Sequence, residues 1–171
     1  MSEVFKEIKP TDISDNVFKL IGDDWMLITA GTPESYNTMT ASWGGLGILW
    51  GEPVSYIFIR PHRYTYNFVE KNETYSLSFF DEKYRKALQY CGTHSGRDVD
   101  KAAATGLTVV GGDCNTVYFN EARLVLLCKK IYFQDINPEN FLDPVIGKNY
   151  PKKDYHRMYI GKVIKCLIKQ A

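Results

Sequence analysis

The sequence has no surplus of charge of either sign. Lys and Arg together number 21 and Asp and Glu 20, so the formal net charge over 171 residues is +1. The basic pairs Lys129-Lys130 and Lys152-Lys153 stand apart, as is typical of a solvated surface. Because nucleic-acid-binding proteins concentrate basic residues, nucleic acid is not expected as a partner.

Long apolar runs are also absent. No segment reaches the roughly 20 consecutive apolar residues that a helix needs to cross a bilayer. The first ten residues lack the apolar core of a signal peptide. We therefore expect a soluble, cytoplasmic protein with no membrane partner.

Disulfide partners and metal ligands are few. The four cysteines contain no Cys-x-x-Cys pair, and the three histidines approach them at ligand spacing only in Cys91 and His94. Such spacing in a cytoplasmic chain predicts reduced thiols. A structural zinc site needs four ligands and a catalytic one three, so no metal is predicted.

Two common enzyme signatures are missing as well. The glycines at 44, 45 and 47 lack G-x-G-x-x-G spacing, and helices do not regularly follow strands, which disfavours a doubly wound dinucleotide-binding sheet. Neither G-x-S-x-G nor Ser-His-Asp spacing appears, so hydrolysis has no support. Without repeats or linkers, residues 1–171 predict one domain.

What the chain does have is a series of strand-like segments with helices inserted in the middle. Helical patterns cover 64–71, 82–90 and 99–104, with Asp81 and Asp98 as predicted caps of the second and third, and Gly106 closing the third. The fold class predicted is mainly β, an antiparallel barrel of about seven strands and three short helices. The clearest strands are 25–30, 54–59, 75–80, 107–110, 116–119, 122–133 and 158–168.

Four segments could carry chemistry. Residues 36–43 are small and hydroxyl-rich, which lets a backbone approach a flat ring with polar edges. Residues 60–65 place two arginines and a threonine at a strand-to-helix junction, where free N–H groups and Arg suit a phosphate. Residues 94–101 contain a Ser-Gly turn and a lysine. His156 precedes the last strand and has an ordinary pKa near neutrality. Each segment also has an ordinary structural interpretation, as a strand, a capped helix or a strand entrance.

In this order and spacing, the four segments resemble the flavin reductase-like, FMN-binding split-barrel family, in its flavoredoxin-type branch. The motifs read Tyr-Asn-Thr-Met-Thr-Ala-Ser-Trp at 36–43, Ile-Arg-Pro-His-Arg-Tyr-Thr at 59–65, Thr-His-Ser-Gly-Arg-Asp-Val-Asp-Lys at 93–101 and His-Arg-Met-Tyr-Ile-Gly-Lys-Val at 156–163. The resemblance extends from about Phe5 to Leu167.

The resemblance implies a Greek-key split β-barrel that forms a homodimer and binds FMN. It implies an oxidoreductase in which NADH or NADPH reduces the flavin, and a small molecule or a redox protein then accepts the electrons. It assigns a catalytic contact with nicotinamide to His156. The cofactor-binding residues that it implies are Asn37, Thr38, Met39, Thr40, Ala41 and Ser42 on the ring, Arg60, Arg63 and Thr65 on the phosphate, and Ser95, Gly96 and Lys101 along the ribityl or phosphate side.

The sequence departs from the family at two places. Asp154 and Tyr155 stand where many flavin reductases have Gly and Asp, and His62 stands where serine is frequent. The first departure changes the two residues immediately before His156, which form the turn that leads to it. Two alternatives therefore remain: an FMN-holding electron carrier without NAD(P)H activity, and a flavin-less dimer that serves as a structural or ligand-binding protein.

Overall fold

A computed structural model of the chain describes residues 5–170. None of the helices in this range is long and apolar enough to cross a bilayer. The helices are α1 (Val17–Gly22), α2 (Tyr64–Lys71), α3 (Arg85–Thr93) and α4 (Lys101–Thr105). The strands are β1 (Phe5–Ile8), β2 (Met26–Thr32), β3 (Ser35–Ala41), β4 (Gly44–Leu49), β5 (Glu52–Ile59), β6 (Thr74–Phe79), β7 (Val109–Gly112), β8 (Thr116–Phe119), β9 (Leu124–Asp135) and β10 (Arg157–Lys169).

Eight of these strands form one antiparallel sheet that curls into an open barrel. Its order is β3-β2-β6-β9-β10-β5-β4, with β1 also paired to β10, while β7 and β8 form a separate hairpin. The edge strands β3 and β4 are joined only by Ser42 and Trp43. Three residue steps span at most about 11 Å, so the end of β3 and the start of β4 must lie close together. They are not hydrogen-bonded to each other, which leaves a seam in the barrel wall.

The barrel interior is filled by apolar and aromatic side chains. Tyr75 and Tyr159 are among the largest fully buried residues, and the Tyr75 hydroxyl lies 2.7 Å from that of Ser55. Gly161 makes room for the Tyr75 ring, because a Cβ at 161 would lie 2.2 Å from the Tyr75 hydroxyl oxygen. The close approach of strand backbone and ring therefore requires glycine at this position.

The predicted fold class is confirmed, although the elements are more numerous than predicted. Helix 64–71 and strand 116–119 have the bounds expected. The sequence pattern missed α1, β1 and β4. Strand β4 contains three glycines, which have low β-propensity. Its extended conformation is stabilised instead by hydrogen bonding to β5.

One predicted helix cap is wrong, and the other, Asp81, occupies the N-cap position without a side-chain hydrogen bond. The third helix is capped by Asp100, whose Oδ1 accepts from the Ala103 N–H at 3.0 Å, and not by Asp98. The second begins as a 3-10 turn at Glu82–Tyr84, and the Asp81 side chain makes no capping hydrogen bond. Both segments offered several acidic residues near the helix start, and sequence alone does not rank them.

Candidate functional site

A cleft of about 390 Å³ lies beside the turn that joins β3 to β4. The end of β3 and the two linking residues form one side of it. The end of β5 and the residues just before β10 form the other. The cleft is lined by Met39, Thr40, Ala41, Ser42, Trp43, Phe58, Arg60, His62, Arg63, Asp154 and His156.

A second pocket of about 300 Å³ adjoins the cleft, and we call it the basic pocket. Arg63, Arg97 and Lys101 contribute cationic side chains, and no carboxylate is among the described residues that line it. The two spaces adjoin at His62 and Arg63, which line both, and we call the two together the groove. The basic pocket is lined by Asn37, His62, Arg63, Tyr64, Thr65, Gly92, Thr93, His94, Ser95, Gly96, Arg97 and Lys101.

The amino-terminal end of α2 opens onto the basic pocket. Arg63 is the N-cap residue, and its side chain makes no capping hydrogen bond. The first N–H groups of a helix have no partner within the helix and carry partial positive charge. With Arg63 and Thr65 on the pocket wall, these N–H groups are suited to an anion.

Asn37 and Gly96 close one wall of the groove against each other. The Asn37 side-chain amide donates to the Thr65 hydroxyl oxygen at 2.8 Å, and both residues are buried. A Cβ on Gly96 would lie 1.8 Å from Asn37 Oδ1, so only glycine allows this approach. Gly96 is therefore required at this position by the close approach of the Asn37 side chain, and both residues line the basic pocket.

Lys101 carries a buried charge at the base of the basic pocket. Its Nζ donates to the Thr38 carbonyl at 2.7 Å and the Cys91 carbonyl at 2.8 Å. Burial lowers the pKa of Lys101 to about 8, and the nearby Arg63 guanidinium acts in the same direction. No salt bridge involves Lys101 within residues 5–170, so a bound anion would offset the cost of its burial.

The buried lysine predicts a pH-dependent stability difference between the wild type and Lys101→Met. The folded-state pKa of Lys101, about 8, is below the usual value of 10.5. Between these values the unfolded chain binds the extra proton, so the wild type gains stability relative to the variant as pH rises. The gain approaches about 3 kcal/mol near pH 10.5. Urea unfolding at pH 7, 8, 9 and 10 measures the difference, and a flat or falling difference would contradict the burial argument.

Arg60 lies in the cleft and is engaged by protein groups. It donates to Asp154 Oδ2 at 2.9 Å and to the Asn149 carbonyl at 2.8 Å. Its guanidinium carbon lies 4.9 Å from the centre of the Tyr150 ring. The hydrogen bond from Arg60 lowers the pKa of Asp154, which also lies 3.3 Å from His62 Nδ1.

His156 is a buried, neutral side chain on the cleft wall. Its Nδ1 lies 2.7 Å from the Tyr150 hydroxyl, and its ring packs against Trp43 at 5.4 Å between centroids. Burial, and then the charge of Arg60, lower the pKa of His156 to about 4. At neutral pH the imidazole can therefore donate or accept a hydrogen bond but carries no charge.

The structure brings together the residues predicted for the site, with one exception. Met39, Thr40, Ala41, Ser42, Arg60 and His156 line the cleft, Asn37, Thr65, Ser95, Gly96 and Lys101 line the basic pocket, and Arg63 lines both.

Thr38 lines neither space. Its hydroxyl lies 2.8 Å from that of Thr29 and donates to the Ile28 carbonyl. Side chains alternate along a strand, so Thr38 faces away from Asn37 and Met39. Its side chain is therefore a packing group, and only its carbonyl reaches Lys101.

Nine lining residues were not among those predicted: Trp43, Phe58, His62, Tyr64, Gly92, Thr93, His94, Arg97 and Asp154. Trp43 and Arg97 stand inside the motifs at 36–43 and 93–101, so motif membership could have found them. Phe58 is the penultimate residue of β5, a segment that the sequence pattern predicted only as a strand. Asp154 was treated as a departure from a family pattern, and its ion pair with Arg60 had no sequence signal.

Comparison with known proteins identifies the same architecture. A family described as the flavin reductase like domain matches residues 20–171. No curated protein matches the chain. Among solved structures, an FMN-binding domain of a flavin reductases-like enzyme from Shewanella baltica is 14% identical, with a TM-score of 0.70 over 99% of this chain and 79% of that one.

Two further structures have the same split-barrel fold. The flavoredoxin of Desulfovibrio vulgaris is 21% identical, with a TM-score of 0.68 over 95% of this chain and 78% of its own. An NADH:FAD oxidoreductase from Streptomyces globisporus is 16% identical, with a TM-score of 0.64 over 85% of this chain and 81% of its own. At these identities the structural likeness establishes the fold, and the seam in the barrel wall accords with it.

Proposed function

The chain belongs to the flavin reductase-like domain family, and from that membership we propose that it binds FMN in the groove and acts as an FMN-dependent oxidoreductase. The isoalloxazine ring would occupy the cleft and the phosphate the basic pocket. One observation carries the proposal: a pocket with three cationic side chains and no lining carboxylate adjoins a cleft with a strand of small residues along one side. A monophosphate on a flat ring matches that charge pattern.

The residues that line the groove suit both the phosphate and the ring of FMN. Arg63, Lys101 and the start of α2 offer charged and backbone donors to a phosphate. Gly96 lets the Asn37 side chain approach its backbone and so completes one wall of the basic pocket. Ala41 and Ser42 follow each other along one side of the cleft, where small side chains allow a ring to approach the backbone. These residues would bind and orient the cofactor, while the flavin itself supplies the redox chemistry.

The phosphate assignment is tested by titrating the purified protein with FMN and with riboflavin, which lacks the phosphate. We expect FMN to bind about 100-fold more tightly, since two or three charge-assisted hydrogen bonds are lost with the phosphate. Quenching of flavin fluorescence measures both dissociation constants. Equal affinity for the two flavins, or failure to bind FMN, would contradict the proposal.

We propose NADH or NADPH as the electron donor, with a small molecule or a redox protein as acceptor. Support comes from His156, a neutral hydrogen-bonding group beside the cleft, flanked by Trp43. The FMN-loaded protein should lose its flavin absorbance when mixed with one of these nucleotides without oxygen. If neither bleaches the flavin while FMN binds, the protein is an electron carrier and the proposed donor is wrong.

We also propose a homodimer, formed through the outer half of β9. Strand β6 stops opposite Lys129 and the Lys130 N–H still donates to the Glu73 carbonyl, so among the described strands residues 131–135 face only β10. Tyr132 and Phe133 there are 41% and 59% exposed, and the exposed Trp50 lies 6.1 Å from Tyr132. Exposed apolar surface beside a free strand edge favours self-association. Light scattering should give twice the 19.6 kDa chain mass, and Phe133→Glu should lower it. A monomeric wild type would refute the dimer.

A further inference from the structure

His156 has one ring nitrogen engaged by the protein and one left for the cleft. Its Nδ1 lies 2.7 Å from the Tyr150 hydroxyl, and both side chains are buried. The Nε2 atom has no protein partner in the described hydrogen bonds, and His156 lines the cleft. The position of the imidazole proton therefore decides whether Nε2 presents a hydrogen-bond donor or an acceptor to the cleft.

We propose that Tyr150 is a positioning residue that donates its hydroxyl proton to His156 Nδ1, and so presents Nε2–H to the cleft as a hydrogen-bond donor. The proposal deepens the proposed function, because the ligand of that donor would be an oxygen of the flavin or of its reductant. A carbonyl oxygen, such as that of a carboxamide, is the chemical group that Nε2–H would bind.

The direction of the Tyr150–His156 hydrogen bond follows from the requirement that the buried Tyr150 hydroxyl have an acceptor. Burial raises the pKa of Tyr150, so its hydroxyl keeps its proton at neutral pH. A buried O–H needs an acceptor, and His156 Nδ1 is the acceptor that the described structure provides. If Nδ1 carried the proton instead, the phenol O–H would be left without an acceptor.

Contacts made by residues before and after Tyr150 in the sequence hold Tyr150 in place. Arg60 donates to the Asn149 carbonyl at 2.8 Å and to Asp154 Oδ2 at 2.9 Å, and its guanidinium lies over the Tyr150 ring. The ring also packs 5.0 Å from that of Tyr155. Arg60 thereby fixes the segment that carries Tyr150, and Tyr150 in turn fixes the imidazole.

The charges around His156 keep it neutral, so its tautomer matters more than its titration. The cations facing it are Arg60, Arg63 and, when protonated, His62, while Asp154 is the facing carboxylate. Trp43 and Phe58 add apolar contacts. Burial and this balance of charges oppose protonation of the ring, so at neutral pH the imidazole can donate a hydrogen bond while it carries no charge.

The test is nitrogen-15 NMR of histidine-labelled protein without flavin, so its result is independent of FMN binding. The chain has three histidines, and His156→Asn identifies the His156 signals by their loss. We expect wild-type His156 to show a protonated Nε2 and an unprotonated Nδ1. Tyr150→Phe should shift both signals toward the average of the two tautomers. Tyr155→Phe, the matched control on the same segment, should leave them unchanged.

Two results would overturn the proposal. One is a protonated Nδ1 in the wild type, which needs no variant and so holds even if Tyr150→Phe fails to fold. The other is an unchanged His156 spectrum in a folded Tyr150→Phe. In the FMN-loaded enzyme, Tyr150→Phe should slow flavin reduction by about tenfold, as expected for one lost oriented hydrogen bond.

Discussion

Replacing Gly161 with alanine is expected to lower the free energy of unfolding by about 3–5 kcal/mol. The new Cβ would lie 2.2 Å from the Tyr75 hydroxyl oxygen and 2.7 Å from Tyr75 Cζ. The Tyr75 ring is fully buried and its hydroxyl is hydrogen-bonded to Ser55, so it has no free space into which to move. Overpacking and loss of the buried hydrogen bond therefore add together.

Urea unfolding measures this loss against a matched control. Gly22→Ala makes the same substitution at the end of α1, where a Cβ would have no neighbour within 4 Å. The control should change stability by less than about 1 kcal/mol, with a gain expected from helix propensity. In a Gly161→Ala background, Tyr75→Leu should cost less than it does alone, because the two residues contact each other. A Gly161→Ala loss below about 1 kcal/mol would contradict the packing described.

Arg63→Ala is expected to weaken FMN binding by about 10- to 100-fold while changing riboflavin affinity by less than about threefold. Arg63 is the charged residue at the start of α2 and lies where the cleft and basic pocket meet. Its guanidinium donates weakly to the Gly92 carbonyl, at 3.5 Å, so it is available for a phosphate. Removing it should therefore cost the interaction with the phosphate alone. The two titrations above measure the effect.

Arg60→Ala is the matched control, since it removes the same side-chain type three residues earlier. Arg60 lines the cleft but not the basic pocket, and its donors are used by Asn149 and Asp154. We expect this substitution to change FMN and riboflavin affinity by similar factors. If Arg60→Ala instead removed the preference for FMN and Arg63→Ala did not, the phosphate would have been assigned to the wrong arginine.

Much of this architecture could be predicted from local sequence patterns. The helix over 64–71 follows from periodicity and the stop at Asn72, and the site motifs predict a groove that the fold then assembles from four distant segments. Strand β4 could not be predicted, because Gly44, Gly45 and Gly47 have no strand preference of their own. Its order comes from pairing with β5, which is a tertiary contact.

Residue roles within the site depend on geometry that sequence does not contain. Arg60 and Arg63 stand in one motif, but only the placement of Asp154 separates their surroundings. Thr38 and Thr40 are both hydroxyl residues of β3, yet only Thr40 lines the cleft. Tyr150 lies six residues before His156 in a segment with no strand or helix period, so nothing in the pattern linked the two side chains.

The most direct test is a crystal structure of the protein grown with FMN. The account predicts phosphate density in the basic pocket, within hydrogen-bond distance of Arg63 and the first N–H groups of α2. It also predicts the ring in the cleft, against Ala41 and Ser42 and beside His156. Density for FMN outside this groove, or with the phosphate beside His156 and the ring among the cations, would contradict it.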